Sequence, residues 1–237
     1  MSKTFYWQGQ LWQCAMEGGR IIHPKEPWMW MDREQVWIGE SGEGSAILTM
    51  ENKPKEVHFW DGQTYHPTIA CGLMRTVDAF SYGRFSAEIL LPQGRNLWPS
   101  FWLCGDGSWP DHGEIDVVEA YANKRGSYYR FPLSWNVTNN VHYSDNGTHK
   151  QAKARGISMF CIGNPKKNCE LVKYEVVWTD KEITLYANGK RVRAINKDIV
   201  KHLVGTRQRV IFNAFASNGK AYMESPMIID NFKYEPL

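Results

Sequence analysis

The run Gly113-Glu114-Ile115-Asp116-Val117-Val118-Glu119 sets three carboxyl side chains within six residues of an apolar, β-favouring stretch. In an extended strand, side chains two residues apart share a face, so Glu114 and Asp116 point the same way. Glu119 lies five residues after Glu114, and this odd offset turns it to the opposite face. One extra residue, inserted as a β-bulge around Val117-Val118, would bring all three side chains onto one surface.

A converging row of carboxyl groups suits the hydrolysis of glycosides with retention of configuration. That reaction needs an ionised carboxylate as nucleophile and a protonated carboxyl as acid, roughly 5–5.5 Å apart. Asp116 between them could tune both through charge repulsion and hydrogen bonding. The alternative is a solvated polar face on an ordinary strand, and the neighbouring sequence is needed to choose between the two.

The composition limits the classes of protein to which the chain can belong. Its 237 residues fit one large all-β domain, 1–237. A net charge of +3 is too small to indicate nucleic-acid binding, which usually shows clustered Lys and Arg and a pI above about 9. The 11 Trp, 11 Tyr and 10 Phe either fill a core or form the flat platforms on which sugar rings stack.

Cysteine spacing and hydropathy exclude further classes. The five cysteines show no CxxC or metal-ligand spacing, so we expect no metal site from them. Cys161 and Cys169 could close a short loop, and buried free thiols are an equally open alternative. No run approaches 18 consecutive apolar residues, so we expect no membrane-spanning helix. The first residues lack the basic-then-apolar layout of a secretory signal, which indicates a protein that is not exported or a mature chain.

Strand-like runs separated by Gly, Pro, Asn and Asp recur along the chain and predict an antiparallel β-sandwich. Asn188-Gly189 between two of these runs is a two-residue hairpin signal. Lys197–Val204 is the best candidate for a short helix. The predicted strands are Glu34–Ile38, Ser45–Met50, Ala70–Thr76, Gly83–Leu90, Ser100–Leu103, Glu114–Ala120, Tyr174–Trp178, Ile183–Ala187, Arg191–Ile195, Arg209–Ala216 and Met227–Tyr234.

Residues 121–170 are the least regular part of the sequence and carry many cations. Long loops beside an active strand often shape specificity. These cations are either a solvated surface or an electropositive rim for an anionic glycan, such as a sulfated one. They are Lys124, Arg125, Arg130, Lys150, Lys153, Arg155, Lys166 and Lys167.

Most of the chain resembles glycoside hydrolase family 16. The run from Glu114 to Glu119 looks like the bulged form of that family's catalytic strand, Glu-x-Asp-x-x-Glu. The remaining segments follow in the family's order: Gly72–Thr76, Phe80–Glu88, Leu97–Leu103, Trp109-Pro110, Tyr174–Trp178, Ile183–Gly189 and Ile229–Phe232.

This resemblance implies a concanavalin-A-like jelly roll with an open cleft and a role for each carboxyl group. Glu114 would be the nucleophile, Glu119 the acid and base, and Asp116 their helper. Trp109 looks like the Trp that stacks on the cleaved sugar, and Trp98 is a second candidate for substrate binding. His142 could reach the acid and base or the leaving sugar, although a lone His is more often a packing residue.

The resemblance also implies an endo-acting enzyme on a polysaccharide, secreted, periplasmic or at the cell surface, and monomeric. No cofactor is required for catalysis; a structural Ca²⁺ remote from the site is compatible with the family. No nucleic acid or membrane partner is expected.

The sequence leaves several substrates open. Glu119-Ala120-Tyr121 looks more like agarases and porphyranases than laminarinases, and with the basic loop it favours a galactan, possibly sulfated, such as agarose, porphyran or carrageenan. An endo-β-1,3-glucanase and a mucin or keratan endo-β-galactosidase are alternatives. Transglycosylation, in which a sugar intercepts the covalent intermediate, is another. A lectin-like binding module is a rival of a different class, but it would have no need of three carboxyl groups.

Overall fold

The computed structural model describes residues 4–23, 25–39, 41–59, 62–125, 128–130, 134–135, 137–154 and 170–237. Within these residues the chain forms mainly antiparallel β-sheets, two of them large. Strands are labelled in chain order. The predicted all-β, antiparallel sandwich is confirmed.

The first large sheet has eight strands and carries the carboxylate row. In spatial order its strands are β1 (Thr4–Trp7), β2 (Gln10–Gln13), β10 (Leu73–Thr76), β22 (Gln208–Ala216), β13 (Leu97–Gly105), β14 (Glu114–Ala120), β17 (Val137–Asp145) and β18 (Thr148–Gln151). The strand β14 therefore lies inside the sheet, between β13 and β17.

The second large sheet has seven strands. In spatial order they are β21 (Lys190–Ile195), β20 (Ile183–Ala187), β19 (Val172–Trp178), β11 (Gly83–Leu90), β24 (Met227–Pro236), β5 (Ala46–Leu48) and β4 (Val36–Ile38).

Small sheets and short helices complete the described structure. In the sheet β3-β9-β6, the pair β3–β9 is parallel, an exception to the antiparallel pattern. The remaining strands are β3 (Met29–Met31), β6 (Met50–Asn52), β7 (Val57–His58), β8 (Thr64–Tyr65), β9 (Ile69–Cys71), β12 (Gln93–Arg95), β15 (Tyr129–Arg130), β16 (Ser134–Trp135) and β23 (Tyr222–Ser225). The α-helix α1 is Lys197–Val200, and the 3₁₀ helices are Glu17–Gly19, Arg33–Gln35 and Lys201–Leu203.

Apolar side chains of both large sheets form one core. Trp7, Trp12 and Phe212 of the first sheet pack against Phe232 of the second, with ring centroids 5.3–6.5 Å apart. Burial of such large rings is a major source of stability, because each removes a large apolar area from water. Many of the aromatic residues thus fill the core, as one of the two readings of the composition predicts.

Two Asn-Gly sequences form the hairpin turns that this residue pair favours. Asn188 and Gly189 both have positive φ (49° and 72°), as a type I′ turn between β20 and β21 requires. Asn146 and Gly147 have φ of 52° and 76° and join β17 to β18 in the same way. The prediction of an irregular 121–170 region is therefore wrong for 137–151, because this second Asn-Gly signal defines a hairpin.

The helix prediction is confirmed in position but not in type. The predicted helix Lys197–Val204 consists of α1 followed by the 3₁₀ turn Lys201–Leu203. Asn196 begins it, since its side chain accepts a hydrogen bond from the Asp198 backbone N–H. Among the described residues, no helix is long and apolar enough to cross a bilayer.

Three of the five cysteines, Cys14, Cys71 and Cys104, are free thiols. The predicted loop between Cys161 and Cys169 lies outside the described residues.

Candidate active site

The strand β14 contains the bulge that the odd carboxylate spacing predicts. Against β13, Phe101 pairs with Val118 and Trp102 pairs with Asp116, so Val117 is the extra residue. Against β17, the register shifts between Asp116 and Glu119. The bulge at Val117 therefore restores Glu119 to the face of Glu114 and Asp116, and all three line one cleft.

Gly113 provides the entry of the chain into β14. Its φ of +73° lies in the left-handed region that favours glycine, and a Cβ there would stand 2.8 Å from Leu203 Cγ. The carboxylate row therefore begins at a residue that tolerates neither a side chain nor an ordinary backbone conformation.

Glu114, Asp116 and His142 form a half-buried cluster. His142 lies opposite Glu114 on the neighbouring strand β17. Its Nε2 atom is 3.5 Å from Glu114 Oε1 and 3.4 Å from Asp116 Oδ2. The Asp116 side chain is nearly fully buried, and its Oδ2 has no hydrogen-bond partner among the described residues.

A hydrogen-bond chain runs from this cluster to the surface. Asn140 Nδ2 donates to His142 Nε2 at 2.8 Å, which assigns the His142 proton to Nδ1. His142 Nδ1 then donates to His149 Nε2 at 2.8 Å, and the two imidazoles stack with centroids 5.1 Å apart. Burial lowers the pKa of His149, and the nearby Lys25 charge lowers it further. The His149 ring packs on Trp109, with centroids 4.6 Å apart.

Glu119 has a different environment, formed by two aromatic donors. Tyr121 OH donates to Glu119 Oε1 at 2.8 Å, and Trp98 Nε1 donates to the same oxygen at 3.2 Å. The two rings stack on each other, with centroids 5.7 Å apart and planes at 18°. Thus the carboxyl at one end of the row contacts imidazole, and the carboxyl at the other end contacts an indole and a phenol.

The cleft over the carboxylate row has a volume of about 410 Å³. One wall comes from β13 and β22, where Trp102 Nε1 donates to Asn213 Oδ1 at 2.8 Å and Asn213 Nδ2 donates to the Trp98 carbonyl at 3.0 Å. The Trp109 side chain is 44% exposed and borders the opening. An exposed ring beside buried polar groups is a suitable surface for a sugar.

The second wall comes from the segment 16–29, which leads from β2 to β3 and contributes Arg20, His23, Lys25 and Glu26 to the lining. An ion-pair cluster holds the start of this segment against the sheet. Glu17 contacts both the buried Arg75 guanidinium and Arg209 Nη1, the latter at 3.3 Å. These contacts lower the pKa of Glu17 against the opposing effect of burial.

Burial has a strong effect on the acidity of the row. It raises the pKa of Asp116 well above its usual value, and the neighbouring Glu119 charge raises it further. It likewise raises the pKa of Glu114, with the Asp116 charge as the next cause. Two like charges in one buried site cannot both ionise easily, so the pair titrates as a unit and retains one proton over a wide pH range.

This buried pair predicts a pH-dependent stability. A carboxyl whose folded-state pKa is raised binds more protons folded than unfolded, so stability falls as pH rises from about 4 towards the raised pKa. We expect Asp116→Asn to match the wild-type Tm near pH 3.5 and to exceed it at pH 7, by about 2–4 °C for each kcal/mol gained.

Melting curves of wild type and Asp116→Asn between pH 3.5 and 8 measure this difference. Asp180→Asn, a change at an exposed position, is the matched control and is expected to follow the wild type throughout. A constant or negative difference for Asp116→Asn across the range would contradict the prediction.

The cluster also offers the best ligands for a cation in the described part of the chain. Glu114, Asp116 and His142 each present one ligand atom within 4.8 Å of the others. However, the Asn140 amide already occupies His142 Nε2. The absence of a metal and the remote Ca²⁺ both stay predictions.

The structure brings together all the residues that the sequence singled out. Glu114, Asp116, Glu119, Trp109 and Trp98 all line the cleft. His142 lies beside Glu114 and Asp116, at the end of the row remote from its expected neighbour Glu119.

Several neighbours were missed by sequence reasoning. The Asn146-Gly147 hairpin signal pairs Ser144 with His149 and so could have placed His149 diagonally across from His142. The two-residue offset from Glu119 could have indicated Tyr121. No local signal indicates Lys25 or Asn213, which reach the cleft from distant parts of the chain.

A β-sandwich whose buried sheet strand presents a row of carboxyl groups to an aromatic-lined cleft defines a class, the enzymes that cleave glycosidic bonds with two carboxyl groups. The family model for glycosyl hydrolases family 16 matches residues 27–225, and the chain belongs to this family. The glycoside hydrolase class expected from the sequence is confirmed.

Known relatives agree on the family but differ in substrate. The chain is 27% identical over 162 residues to the beta-glucanase of Rhodothermus marinus. The matched region covers 66% of this chain and 50% of that protein. The chain is also 27% identical over 157 residues to the keratan-sulfate endo-1,4-beta-galactosidase of Sphingobacterium multivorum, covering 63% of this chain and 32% of that protein. The chain thus spans half or less of the length of these curated relatives.

A solved structure supports the fold. It belongs to work on endo-acting O-glycanases that members of the human gut microbiota express to initiate mucin breakdown. It superposes with a TM-score of 0.66 at 18% identity and covers 92% of this chain and 82% of its own. At this identity the likeness concerns the fold alone, and it agrees with the predicted jelly roll.

Proposed function

We propose that the chain is an endo-acting glycosidase that hydrolyses internal β-linkages of a polysaccharide with retention of configuration. The observation that carries this proposal is the bulge at Val117, because it sets Glu114, Asp116 and Glu119 on one face of the cleft. A regular strand would have turned Glu119 into the core. Several relatives have names that describe endo-acting enzymes, which supports endo cleavage.

Glu114 is the nucleophile in this proposal, and Glu119 is the acid and then the base. Glu114 attacks the anomeric carbon while Glu119 gives its proton to the leaving glycosidic oxygen. Glu119 then takes a proton from water, whose oxygen displaces Glu114 from the anomeric carbon. Two displacements at one carbon restore its starting configuration.

Asp116 keeps Glu114 available for attack. The pair shares one proton, and while that proton is on Asp116 its O–H can donate a hydrogen bond to Glu114, which is then the anion. Asn140 and His142 border the same pair, so the charge that Glu114 loses during attack can be compensated by movement of a proton within this cluster.

For the substrate, we propose an anionic galactan, such as a sulfated one. Lys25 Nζ lies 5.4 Å from the centroid of Trp109, and Lys153 Nζ lies 5.7 Å from the centroid of Tyr121, at opposite ends of the row. Neither amine makes an ion pair with a described carboxylate. An unpaired cation beside an aromatic platform suits a sugar ring with a sulfate or carboxylate substituent.

The remaining cations of the 121–170 region support this less directly. Lys150 is paired with Asp145 at 2.9 Å, and Lys124 and Arg125 are exposed. Arg155, Lys166 and Lys167 lie outside the described residues, as does the side chain of Arg130. Among the described residues, Lys25 and Lys153 are therefore the cations that support an electropositive rim.

An endo-β-1,3-glucanase acting on a neutral glucan is the second candidate. Its support is the names of several relatives, which are a beta-glucanase, a glucan endo-1,3-beta-glucosidase and two endo-1,3-1,4-beta-glycanases. Either substrate class is a polymer too large to enter a cell intact, so we propose that the enzyme acts outside the cytoplasm, as a monomer.

A glycan screen separates the candidates. Laminarin, mixed-linkage glucan, agarose, porphyran, carrageenans, keratan sulfate and mucin glycans are incubated with the enzyme, and product length and anomeric configuration are read by NMR. Internal cleavage of a galactan with retention is the expected result. Cleavage of neutral glucans alone would overturn the galactan assignment, and products of inverted configuration would overturn the mechanism.

The unpaired lysines give a matched test of charge recognition. We expect Lys25→Met and Lys153→Met each to lower kcat/KM on a sulfated galactan by about tenfold, because each removes one charge-assisted contact of about 1.4 kcal/mol. On the chemically desulfated polymer the variants should match the wild type.

Lys150→Met is the control, since that amine is already paired with Asp145. It should leave the preference for the sulfated polymer unchanged. Equal losses on sulfated and desulfated polymer would show that the lysines do not recognise the anion.

A further inference from the structure

We infer that Tyr121 and Trp98 are positioning residues that fix the catalytic proton of Glu119 on its Oε2 oxygen. This inference rests on the proposed function, in which Glu119 is the acid. It begins from one geometric fact: both side chains donate to the same carboxyl oxygen, Oε1.

The two donors reach Oε1 from different strands. Tyr121 follows Glu119 by two residues, just beyond the end of β14, so its side chain returns to the same face. Trp98 lies on β13, two residues before Ser100, which pairs with Glu119. The Asn213 amide holds the Trp98 carbonyl at 3.0 Å, and the stacked rings hold each other. Both donors are therefore held by contacts of their own.

Two donors on one oxygen determine where the acid proton resides. A protonated carboxyl has one O–H and one carbonyl oxygen, and only the carbonyl oxygen is a good double acceptor. With Oε1 engaged by an O–H and an N–H, the proton of Glu119 resides on Oε2. Without these donors neither the proton nor the plane of the carboxyl group is fixed, so the acid loses its orientation towards the leaving glycosidic oxygen.

The same contacts favour the second half of the reaction. After proton transfer, Glu119 is an anion, and the two donors stabilise it until it accepts a proton from water. Burial and the Glu119 charge raise the pKa of Tyr121, so its hydroxyl stays a donor throughout. The other charged groups that face this pair are Asp116, Glu26 and Lys153.

Tyr121→Phe removes the hydroxyl and keeps the stacked ring, which makes it the sharper variant. Acid catalysis matters for poor leaving groups and hardly at all for 2,4-dinitrophenolate. On galacto-oligosaccharide aryl glycosides we expect kcat/KM, which reports the glycosylation step, to fall about 10–100-fold for the phenyl leaving group and less than about 2-fold for 2,4-dinitrophenyl.

Two control variants separate positioning from packing. Tyr143→Phe removes a hydroxyl from another stacked tyrosine, whose ring lies on His202. Trp30→Phe removes an indole N–H that donates to the Lys53 carbonyl, away from the carboxylate row. Both should keep the wild-type dependence on leaving group, whereas Trp98→Phe should follow Tyr121→Phe. Equal losses on both aryl glycosides in Tyr121→Phe would overturn the inference.

An infrared measurement tests the same inference without turnover. The difference spectrum of wild type minus Glu119→Gln at acid pH gives the C=O stretch of protonated Glu119. Donors on the carbonyl oxygen lower this frequency, so Tyr121→Phe should raise it and Tyr143→Phe should not. An unchanged frequency in Tyr121→Phe would refute the inference about Tyr121. A glycan screen that finds no substrate would instead refute the proposed function, so the two failures can be told apart.

Discussion

Glu114→Gln is expected to lower kcat by at least about 10⁴-fold while the fold and glycan binding persist. The amide has the shape of the carboxyl group but cannot attack the anomeric carbon, and removal of a nucleophile abolishes the covalent route. Turnover on the best substrate of the screen measures the loss. Affinity electrophoresis in a gel containing the same glycan measures retained binding.

The identity of the nucleophile can be read from a rescued product. Glu114→Gly leaves space for azide, which would attack a 2,4-dinitrophenyl β-glycoside directly and yield an α-glycosyl azide. Glu43→Gln, at an exposed position, serves as the control and should keep full activity. Undiminished turnover in Glu114→Gln, or a β-azide from Glu114→Gly, would refute this role.

Glu119→Ala is expected to lower kcat on the polysaccharide by about 10²–10⁴-fold, the usual contribution of general acid catalysis. With 2,4-dinitrophenyl glycosides the first step needs no acid, so the covalent intermediate should accumulate and appear as a burst. Azide should restore turnover by displacing Glu114, and the product should be the β-glycosyl azide.

Opposite anomers from the two azide reactions would distinguish the two carboxyl groups in one experiment. Asp116→Asn provides the comparison, because it alters the middle of the row without creating space for azide. If Glu119→Ala shows neither burst nor azide rescue, Glu119 is not the acid and base.

The sequence predicted the centre of this site well, because the three carboxyl groups lie within six residues of one strand and their spacing alone sets which face each occupies. The spacing from Glu114 to Glu119 has one simple structural solution, and the structure has it at Val117. Two long strands, Glu114–Ala120 and Gly83–Leu90, agree with the prediction at both ends. Alternation and turn chemistry act within a few residues, so one sequence is sufficient to read them.

The rest of the site depends on contacts between distant residues. Asn213 reaches Trp98 and Trp102 across the pairing of β22 with β13, a register that no local pattern encodes. The N-terminal strands β1 and β2 were missed, although Gln8-Gly9 forms their turn with φ of 48° and 70°. Gln8 in that position gives no recognisable hairpin signal.

The wall of the cleft formed by the segment 16–29 has a consequence for how this enzyme could be altered. Arg20 and Lys25 precede residue 27, where the family match begins, whereas the carboxylate row lies well inside it. The ion pairs of Glu17 with Arg75 and Arg209 attach this wall at its start. Two cations of the cleft, Arg20 and Lys25, thus lie on a segment that carries none of the three carboxyl groups, so an exchange of this segment would change one wall of the cleft and leave the carboxylate row intact.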